Sequence, residues 1–355
     1  MATIGYQYPT WLDVASRTHN DQIQAVVEVA SDASWFIRDG MVREGNLTTG
    51  HRSTQRTGLP SGTFRKLNSG VQPEKSTTVP VTDAAGMLET YSEVDKALAN
   101  LNGNSAAWFA SEESAFIEGL TQTAESTTIY GDTDQTPEKF MGLAPRYSAG
   151  FASSNAAYTD RKRIEYNVIN AQGVGSNNAG QSGTNTSVWF VTWGERTCHY
   201  FFTKGSKAGL ERQPLGEDTK VASDGSMHQV FRTHYKWDIG LAVPDWRATC
   251  RVANIGTAVS GTATTNTLHE AVGDSTFHET LIQALHRMRR PATGGNTFMY
   301  CSEAVHSYLD RVAQAKSNVN LTIGNFAGED VLTFRGIPIR QTDAILDTEA
   351  AVTFA

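Results

Sequence analysis

The chain has 355 residues, of which 39% are hydrophobic and 19% charged, and its formal net charge is −7. This globular composition suits roughly two to three folded units and excludes collagen-like and low-complexity chains, and the net negative charge argues against a surface that is basic throughout for nucleic-acid binding. No apolar run reaches the ~18–20 residues of a bilayer span, and the first 20 residues lack the basic flank and apolar core of a secretion signal.

The first predicted element is a short amphipathic helix at residues 21–30. Residues 45–83 differ from it, because they are rich in Gly, Ser, Thr, Arg and Pro and show no helical period. Turn signals between short β-prone runs predict an extended two-stranded loop here. No Asp or Glu occurs between Gly45 and Pro73, whereas the same stretch carries four positive charges, on Arg52, Arg56, Arg65 and Lys66.

Two helices are predicted next. Apolar residues recur every three to four positions after Asp83, which predicts a helix that stops at Asn102-Gly103. The second helix is predicted at residues 111–127, where Glu112 and Glu113 in the first turn suit the helix dipole. Its predicted apolar side consists of Phe116, Ile117, Leu120 and Ala124.

The rest of the chain, after residue 127, is predicted to form mainly strands and loops, followed by a C-terminal part with both helices and strands. The clearest strand is 187–193, and residues 229–255 predict either a long antiparallel pair or one bent strand, with Pro244 at the bend or at an edge. The last hundred residues predict two helices and two strands: a helix from the capping box at 276–279, a strand at 296–300, a helix from Ser302, and a strand at 331–339 with a Gly-x-Pro kink.

The sequence predicts no catalytic, cofactor-binding or metal-binding residue. His278-Glu279 has no histidine where a second zinc ligand would lie, and neither a phosphate-binding loop nor a GxSxG elbow is present. The three cysteines, Cys198, Cys250 and Cys301, lie far apart and are interpreted as reduced thiols of a protein made in a cytoplasm. The seven tryptophans are interpreted mainly as core and interface anchors.

Several segments, taken in order, resemble the major capsid proteins of short-tailed double-stranded DNA bacteriophages. The basic stretch from Gly45 to Val71 resembles their extended loop, and residues 91–98 and 115–120 resemble their pre-spine and spine helices. Residues 188–197, 237–243 and 334–339 are similar too. The resemblance runs from about residue 10 to about residue 345, and it implies an α+β Hong Kong 97-type capsid fold and a structural protein that is not an enzyme.

The resemblance implies a division into an arm, a loop and two domains. The expected segments are an N-terminal arm (1–44), an extended loop (45–83), a peripheral domain (84–145) with the spine helix at 111–127, an axial part or insertion (146–228), a long hairpin completing the peripheral domain (229–255), and the axial domain with the C-terminus (256–355). In the family's usual order the long hairpin follows the Gly-x-Pro strand. Here the hairpin candidate precedes that strand, so we hypothesise a permuted order.

The implied function is self-assembly into hexamers and pentamers of an icosahedral shell around packaged double-stranded DNA, which is enclosed without sequence-specific binding. The principal partner is the chain itself; scaffolding, portal and decoration proteins are left open as others, and synthesis and assembly are expected in the bacterial cytoplasm, with no membrane involved. The candidate inter-subunit contacts pair basic residues of the loop with acidic residues of the spine helix: Arg52, Arg56, Arg65 and Lys66 with Glu112, Glu113 and Glu118.

Two alternatives stay open at the level of sequence. An encapsulin-like shell of the same fold would enclose an enzyme cargo. A β-rich polysaccharide-active enzyme would use the tryptophans and carboxylates, and it predicts a monomer with one deep acidic cleft. Some relatives form a Lys–Asn crosslink between subunits; Lys66 and Lys75 lie in the loop, but no residue-level match to that chemistry is found, and solvated surface lysines are the expectation.

Overall fold

The computed structural model describes residues 18–19, 22–23, 34–100, 105–150, 163–171, 185–221, 225–256, 276–288, 295–314, 321–326 and 329–354. The helices are α1 (Trp35–Asp39), α2 (Lys96–Ala99), α3 (Ser105–Tyr130), α4 (Leu143–Arg146), α5 (Thr276–Arg287) and α6 (Glu303–Gln314), with short 3-10 helices at Ile164–Asn167 and Trp246–Ala248.

The strands in chain order are β1 (Thr18–His19), β2 (Gln22–Ile23), β3 (Val42–Glu44), β4 (Gly50–Gly58), β5 (Thr77–Ala84), β6 (Gly86–Asp95), β7 (Ala149–Gly150), β8 (Val168–Asn170), β9 (Asn185–Trp193), β10 (His199–Phe202), β11 (Glu211–Val221), β12 (Met227–Ala242), β13 (Thr249–Gly256), β14 (Asn296–Cys301), β15 (Leu321–Phe326), β16 (Glu329–Phe334), β17 (Ile337–Gln341) and β18 (Thr353–Phe354).

A seven-stranded mixed sheet forms one half of the molecule, in the order β15-β16-β17-β14-β9-β13-β8. Its interior strand β9 is buried at every position, so its dense run of β-formers is needed on both faces. Val188 and Phe190 pack into a core with α5 and α6. Trp189, Val191 and Trp193 pack into a second core with α1, the end of α3 and the C-terminal segment. The predicted strand at 187–193 is confirmed.

A five-stranded sheet forms the other half and is organised by the long strand β12. β11 and β6 pair along opposite sides of the first part of β12, β10 pairs with its last residues, and β3 adds to β10. The 26-residue helix α3 packs on one face of this sheet. Its aromatic contacts are Phe109 against Phe231, with ring centroids 5.5 Å apart, and Phe116 stacked on Tyr235 at 5.8 Å.

Helix α3 extends the predicted 111–127 helix at both ends. Ala106 and Ala107 are strong helix formers, and the helix therefore begins at Ser105 rather than at Ser111. Glu112 and Glu113 thus lie two turns inside the helix and not in its first turn, which contains no acidic residue. The prediction that these acids complement the helix dipole is wrong. Ile117, expected on the apolar side, is exposed.

Residues 86–95 were predicted as helix and form the strand β6, so this prediction is wrong. Burial alternates with period two along most of β6, and Thr90, Tyr91 and Val94 favour strands. Opposite charges also face each other across the pair with β12, as in Glu93 against Arg232. Only Lys96–Ala99 is helical, and the Asp95 side chain accepts a hydrogen bond from the Ala97 N–H there.

The predicted hairpin at 229–255 is also wrong as a pair of strands. β12 and β13 lie in different sheets, and the chain passes between them through Pro244 and the 3-10 helix Trp246–Ala248. Pro244 therefore lies at a bend, as predicted. The true partner of β12 is β11, a strand that escaped prediction because Pro214 and a bulge before Gly216 interrupt it. The β12 half of the segment does pack on α3, as the permuted-order hypothesis requires.

Two further differences concern short segments. Residues 331–339 form a hairpin of β16 and β17 instead of one kinked strand. Its two-residue turn, Arg335 and Gly336, has φ values of +50° and +78°, as a tight β-hairpin turn requires. In the predicted helix at 21–30, residues 22–23 form the strand β2, paired with β1, and the rest lies outside the described residues.

A buried polar network joins the C-terminal segment to the second core. The Arg251 guanidinium donates to Glu349 at 2.9 Å, to the Ser187 hydroxyl at 3.0 Å and to the Tyr147 carbonyl at 3.0 Å. The Tyr130 hydroxyl donates to the other Glu349 oxygen at 2.5 Å. Burial, followed by the Glu349 charge, raises the pKa of Tyr130, so its hydroxyl keeps its proton. β18 then pairs with β7.

Among the described residues, no helix combines the length and the apolar character needed to cross a bilayer. The three cysteines are free and buried.

Removing one member of the buried ion pair should destabilise the fold strongly. Arg251→Met leaves Glu349 charged and buried, and we expect a loss of about 3–5 kcal/mol in the free energy of unfolding, measured by denaturant titration of the purified chain. The control is Arg247→Met, because Arg247 pairs with Asp245 at the surface and should cost under about 1 kcal/mol. The double variant Arg251→Met/Glu349→Met should recover most of the loss. Equal effects of the two single variants would contradict a dominant role for the buried pair.

The cysteines should resist alkylation in the folded chain. Burial raises the pKa of Cys198 and of Cys250 to about 12 and raises that of Cys301 as well. Because the thiolate is the reactive form, labelling with iodoacetamide at pH 8 should be at least about a thousandfold slower than for a free thiol. Mass spectrometry should show no labelled native chain and three labels after unfolding. Rapid labelling of any one thiol before unfolding would be inconsistent with this packing.

Candidate assembly site

The stretch predicted as an extended two-stranded loop is an antiparallel hairpin that leaves the body of the molecule. β4 and β5 pair from Gly50 with Ala84 to Gly58 with Thr77. The predicted two-stranded character is confirmed. Residues 59–76 connect the strands without regular strand or helix and form the hairpin tip.

The hairpin tip exposes large apolar side chains. Leu59, Phe64, Leu67 and Val71 are 78%, 107%, 91% and 52% exposed. A side chain as exposed as Phe64 gains nothing from hydrophobic burial within its own subunit. A concentration of such residues on one projecting segment indicates a contact with another molecule.

The four basic residues predicted as contacts all lie exposed on this hairpin. Arg52 is on β4, where its Nε donates to the Thr82 hydroxyl at 3.2 Å. Arg56 is also on β4, and Arg65 and Lys66 belong to the tip. Within the part of the chain that the structure describes, no ion pair involves any of the four. Their charges are available to a second molecule.

The root of the hairpin is held firmly by polar contacts with the body. Arg146 on α4 donates to Asp83 on β5 at 2.8 Å, and both side chains are largely buried. The Gln55 amide donates to the Pro244 carbonyl at 2.9 Å. The Gly45 N–H donates to the Phe202 carbonyl at 2.8 Å, next to β10. The hairpin is therefore anchored at its root, and its tip makes no such contact with the other described parts of the chain.

The predicted acidic partners, Glu112, Glu113 and Glu118, lie on α3 and are half-buried. Glu113 accepts hydrogen bonds from Arg212 of β11 in the same chain, at 2.9 Å from Nε. Glu118 accepts from the Gln122 amide at 3.3 Å, and Glu112 also has an interaction within the chain. Glu113 is thus already engaged inside the subunit, which weakens it as a partner for a neighbour's hairpin.

A second acidic surface, which sequence reasoning missed, lies on the sheet face opposite α3. We call this the open face: among the ion-paired side chains that strands β6, β12 and β11 place there, five are carboxylates and three are basic, and Glu93 and Asp238 are largely buried. The acids are Glu89, Glu93, Glu211, Asp218 and Asp238, and the bases are Lys220, Arg232 and Lys236. The period-two spacing of Glu89 and Glu93 was the available signal, and it was hidden by the helical interpretation of this segment.

The ion pairs around Glu93 on the open face form a connected network. Glu93 accepts from both Lys220 and Arg232, and Arg232 also pairs with Asp218 at 2.5 Å. Burial opposes ionisation of Glu93, but the hydrogen bonds and charges of Lys220 and Arg232 outweigh it and hold its pKa below the usual value. Exposed Met87 and Tyr91 lie on the same face. The face is therefore charged, slightly acidic and partly apolar.

The described residues include no group of three His, Cys, Asp or Glu side chains placed to hold a metal ion. A groove of about 350 Å³ runs between α3 and β11–β12. Its charged lining includes Glu113 and Arg212, which pair with each other. This groove, in which a glutamate and an arginine neutralise each other, is not the deep acidic cleft that a polysaccharide-active enzyme requires.

Comparison with known proteins identifies the family. The family model described as Major capsid protein GP7 matches residues 18–353. Among solved structures, a chain of bacteriophage Epsilon15 is 31% identical, with 99% of each chain covered and a TM-score of 0.73. The bacteriophage JBD30 capsid is 10% identical, with 95% of this chain and 99% of that chain covered and a TM-score of 0.46. No curated protein sequence matches the chain.

The SrpI encapsulin from Synechococcus elongatus is 13% identical, with 71% of this chain and 98% of that chain covered and a TM-score of 0.43. The mixed sheets and helices have the expected α+β Hong Kong 97-type fold, and the enzyme interpretation is excluded. The chain belongs to the GP7 family of bacteriophage major capsid proteins, whose members are structural components of the icosahedral shell of the virion and not enzymes.

Proposed function

We propose that the hairpin at residues 45–83 binds each subunit to its neighbour in the hexamers and pentamers of the shell. The observation that carries this proposal is the hairpin tip, whose apolar side chains have no site in their own subunit. Burying four such side chains is worth roughly 6–12 kcal/mol before the cost of ordering the loop. Exposed ion pairs add only about 0–1 kcal/mol each, so they set position more than strength.

The open face of a neighbouring subunit is the better acceptor for the basic hairpin. Its ion-paired side chains include more carboxylates than bases, it is partly solvent-exposed, and Met87 and Tyr91 offer apolar area beside the charges. The α3 glutamates are the second candidate, and Glu113 there is already paired with Arg212. The open face therefore replaces α3 as the favoured partner surface in this proposal.

The division into domains is proposed with the strands that the structure provides. The hairpin 45–83 acts as the extended loop, and α3 with β6, β11 and β12 forms the peripheral domain. The seven-stranded sheet with α5 and α6 forms the axial domain, drawing on 146–228 and 256–355 and also on β13. Residues 1–44 are the arm. This arrangement places the long hairpin, β11–β12, before the β16–β17 hairpin in sequence, as the permuted order requires.

The remaining functional proposals follow from the shell role. The shell encloses double-stranded DNA without sequence-specific contacts, and the net charge of −7 limits adhesion of packaged DNA to its wall. Scaffolding, portal and decoration proteins are the further partners to be sought. Synthesis and assembly take place in the cytoplasm of the bacterial host.

Removing apolar area from the hairpin tip should prevent stable assembly. For the double variant Phe64→Ser/Leu67→Ser we expect a folded chain with an unchanged circular dichroism spectrum and a loss of closed particles of at least about tenfold, measured by sedimentation and negative-stain microscopy. The control is Leu346→Ser, since Leu346 is a comparably apolar exposed residue outside the hairpin. Normal yields of stable particles from the double variant would refute the role of the hairpin.

A charge-swap experiment should identify the acceptor surface. Arg65→Glu/Lys66→Glu should reduce particle yield most at low salt, where exposed charges are least screened. Adding Glu89→Lys should restore assembly if the open face receives the hairpin, whereas Glu112→Lys should restore it if α3 does. Arg196→Glu, a charge reversal at an exposed site outside the hairpin, serves as the control. Rescue by Glu112→Lys alone would move the contact back to α3.

A further inference from the structure

Two histidines meet where the hairpin leaves the body of the molecule. His51 on β4 contacts His199 on β10 edge-to-face, with ring centroids 5.2 Å apart, and lies 5.7 Å from the Phe201 ring. His199 is 0% exposed. Within the described residues, neither ring nitrogen of His199 and not the Nδ1 of His51 makes a hydrogen bond. His199 is therefore buried and His51 half-buried, and placing a charge on the buried ring without a hydrogen-bond partner is unfavourable, so the contact favours neutral rings.

The charges around this pair come from three neighbouring segments. Arg43 on β3 lies near both histidines and pairs with Glu195 at 2.7 Å, and Asp83 on β5 faces His51. Burial, followed by the charges of His51 and Arg43, lowers the pKa of His199 to about 4, against the opposing effects of the Gly194 backbone and Glu195. Burial and Arg43 also lower the pKa of His51, against the charge of Asp83. Both rings are therefore neutral at pH 7.

The position of the pair gives it control over the hairpin. Among the described residues, the hairpin contacts the body at its root, through Asp83 with Arg146, Gln55 with the carbonyls of residues 243 and 244, and the two histidines. The first two are hydrogen-bonded contacts with ordinary partners. The histidine contact differs from these two, because it places two imidazole rings, which gain positive charge as the pH falls, near the positive charge of Arg43.

We propose that His51 and His199 form a proton-operated joint, which seats the hairpin on the body while both rings are neutral and releases it when either ring is protonated. The sign follows from linkage: a histidine with a lowered pKa when seated contributes fully above pH 6.5, and its contribution is lost as pH falls toward 4. With a seated pKa of about 4 and an unseated value of 6.5, the opening equilibrium should rise on the order of 30-fold between pH 7.5 and pH 5.

Two exchange measurements on assembled particles test this joint. Hydrogen exchange at the imidazole C2 position, followed by mass spectrometry, reports the titration of each histidine. Amide exchange in peptides covering 50–58 and 77–84, normalised for the intrinsic pH dependence, reports hairpin opening, with the peptide covering 185–193 as the internal reference. We expect His199 to titrate well below pH 6.5, and hairpin exchange to rise about 10- to 30-fold at pH 5 while the reference stays constant.

Variants separate the joint from other acid effects. His199→Phe and the milder His51→Phe keep a ring at the contact without a titratable nitrogen, so each should reduce the pH response of the hairpin amides; His228→Gln should leave it intact. Should His199→Phe fail to fold, His51→Phe and the wild-type titration decide. Titration of His199 near pH 6.5, or a full pH response in both Phe variants, would overturn the proposal. The joint lies within one chain, so it stands independently of which surface receives the hairpin.

Discussion

The burial of β9 on both of its faces is the constraint around which the subunit is built. Every second side chain belongs to the core under α5 and α6, and the others belong to the core that receives α1, the end of α3 and the C-terminal segment. Because a single strand supplies both cores, their relative position is fixed by its pleat. The C-terminal end of the long strand β12 is buried beside this second core. Its N-terminal end is exposed, and α3 packs on the part between them.

The subunit therefore has closed cores of its own and exposes apolar side chains that can contact other subunits. One group of buried polar side chains near β9 is hydrogen-bonded internally, in the network of Arg251 and Glu349. The three most exposed large apolar side chains among the described residues, by contrast, lie on the hairpin tip, beside the basic residues Arg65 and Lys66. A shell protein needs this division, because its interfaces must form only after its own core has closed, and head-to-tail contacts then close into rings.

Sequence patterns predicted the elements whose local and tertiary preferences agree. β9, the extended hairpin, and the helices from 276 and 302 are examples, and the four basic residues were correctly placed on the hairpin. Failures occurred where tertiary contacts decide: residues 86–95 fit a helical period and became a strand through cross-strand charges with β12. β11 contains a proline and a bulge and is fixed by its partner, and Arg335 accepts a positive φ that its type rarely adopts. The open face was missed because it exists only after three strands from distant parts of the chain align.

The partners of the buried ion pair are far apart along the chain. Arg251 precedes Glu349 by 98 residues. A bacterial ribosome adds roughly 5–20 residues per second, so about 5–20 s separate the synthesis of the two side chains. During that interval the arginine has no carboxylate with which to enter the core, and burying it alone is prohibitively unfavourable. The second core therefore closes late in translation, which keeps an immature subunit from offering its hairpin on a finished body.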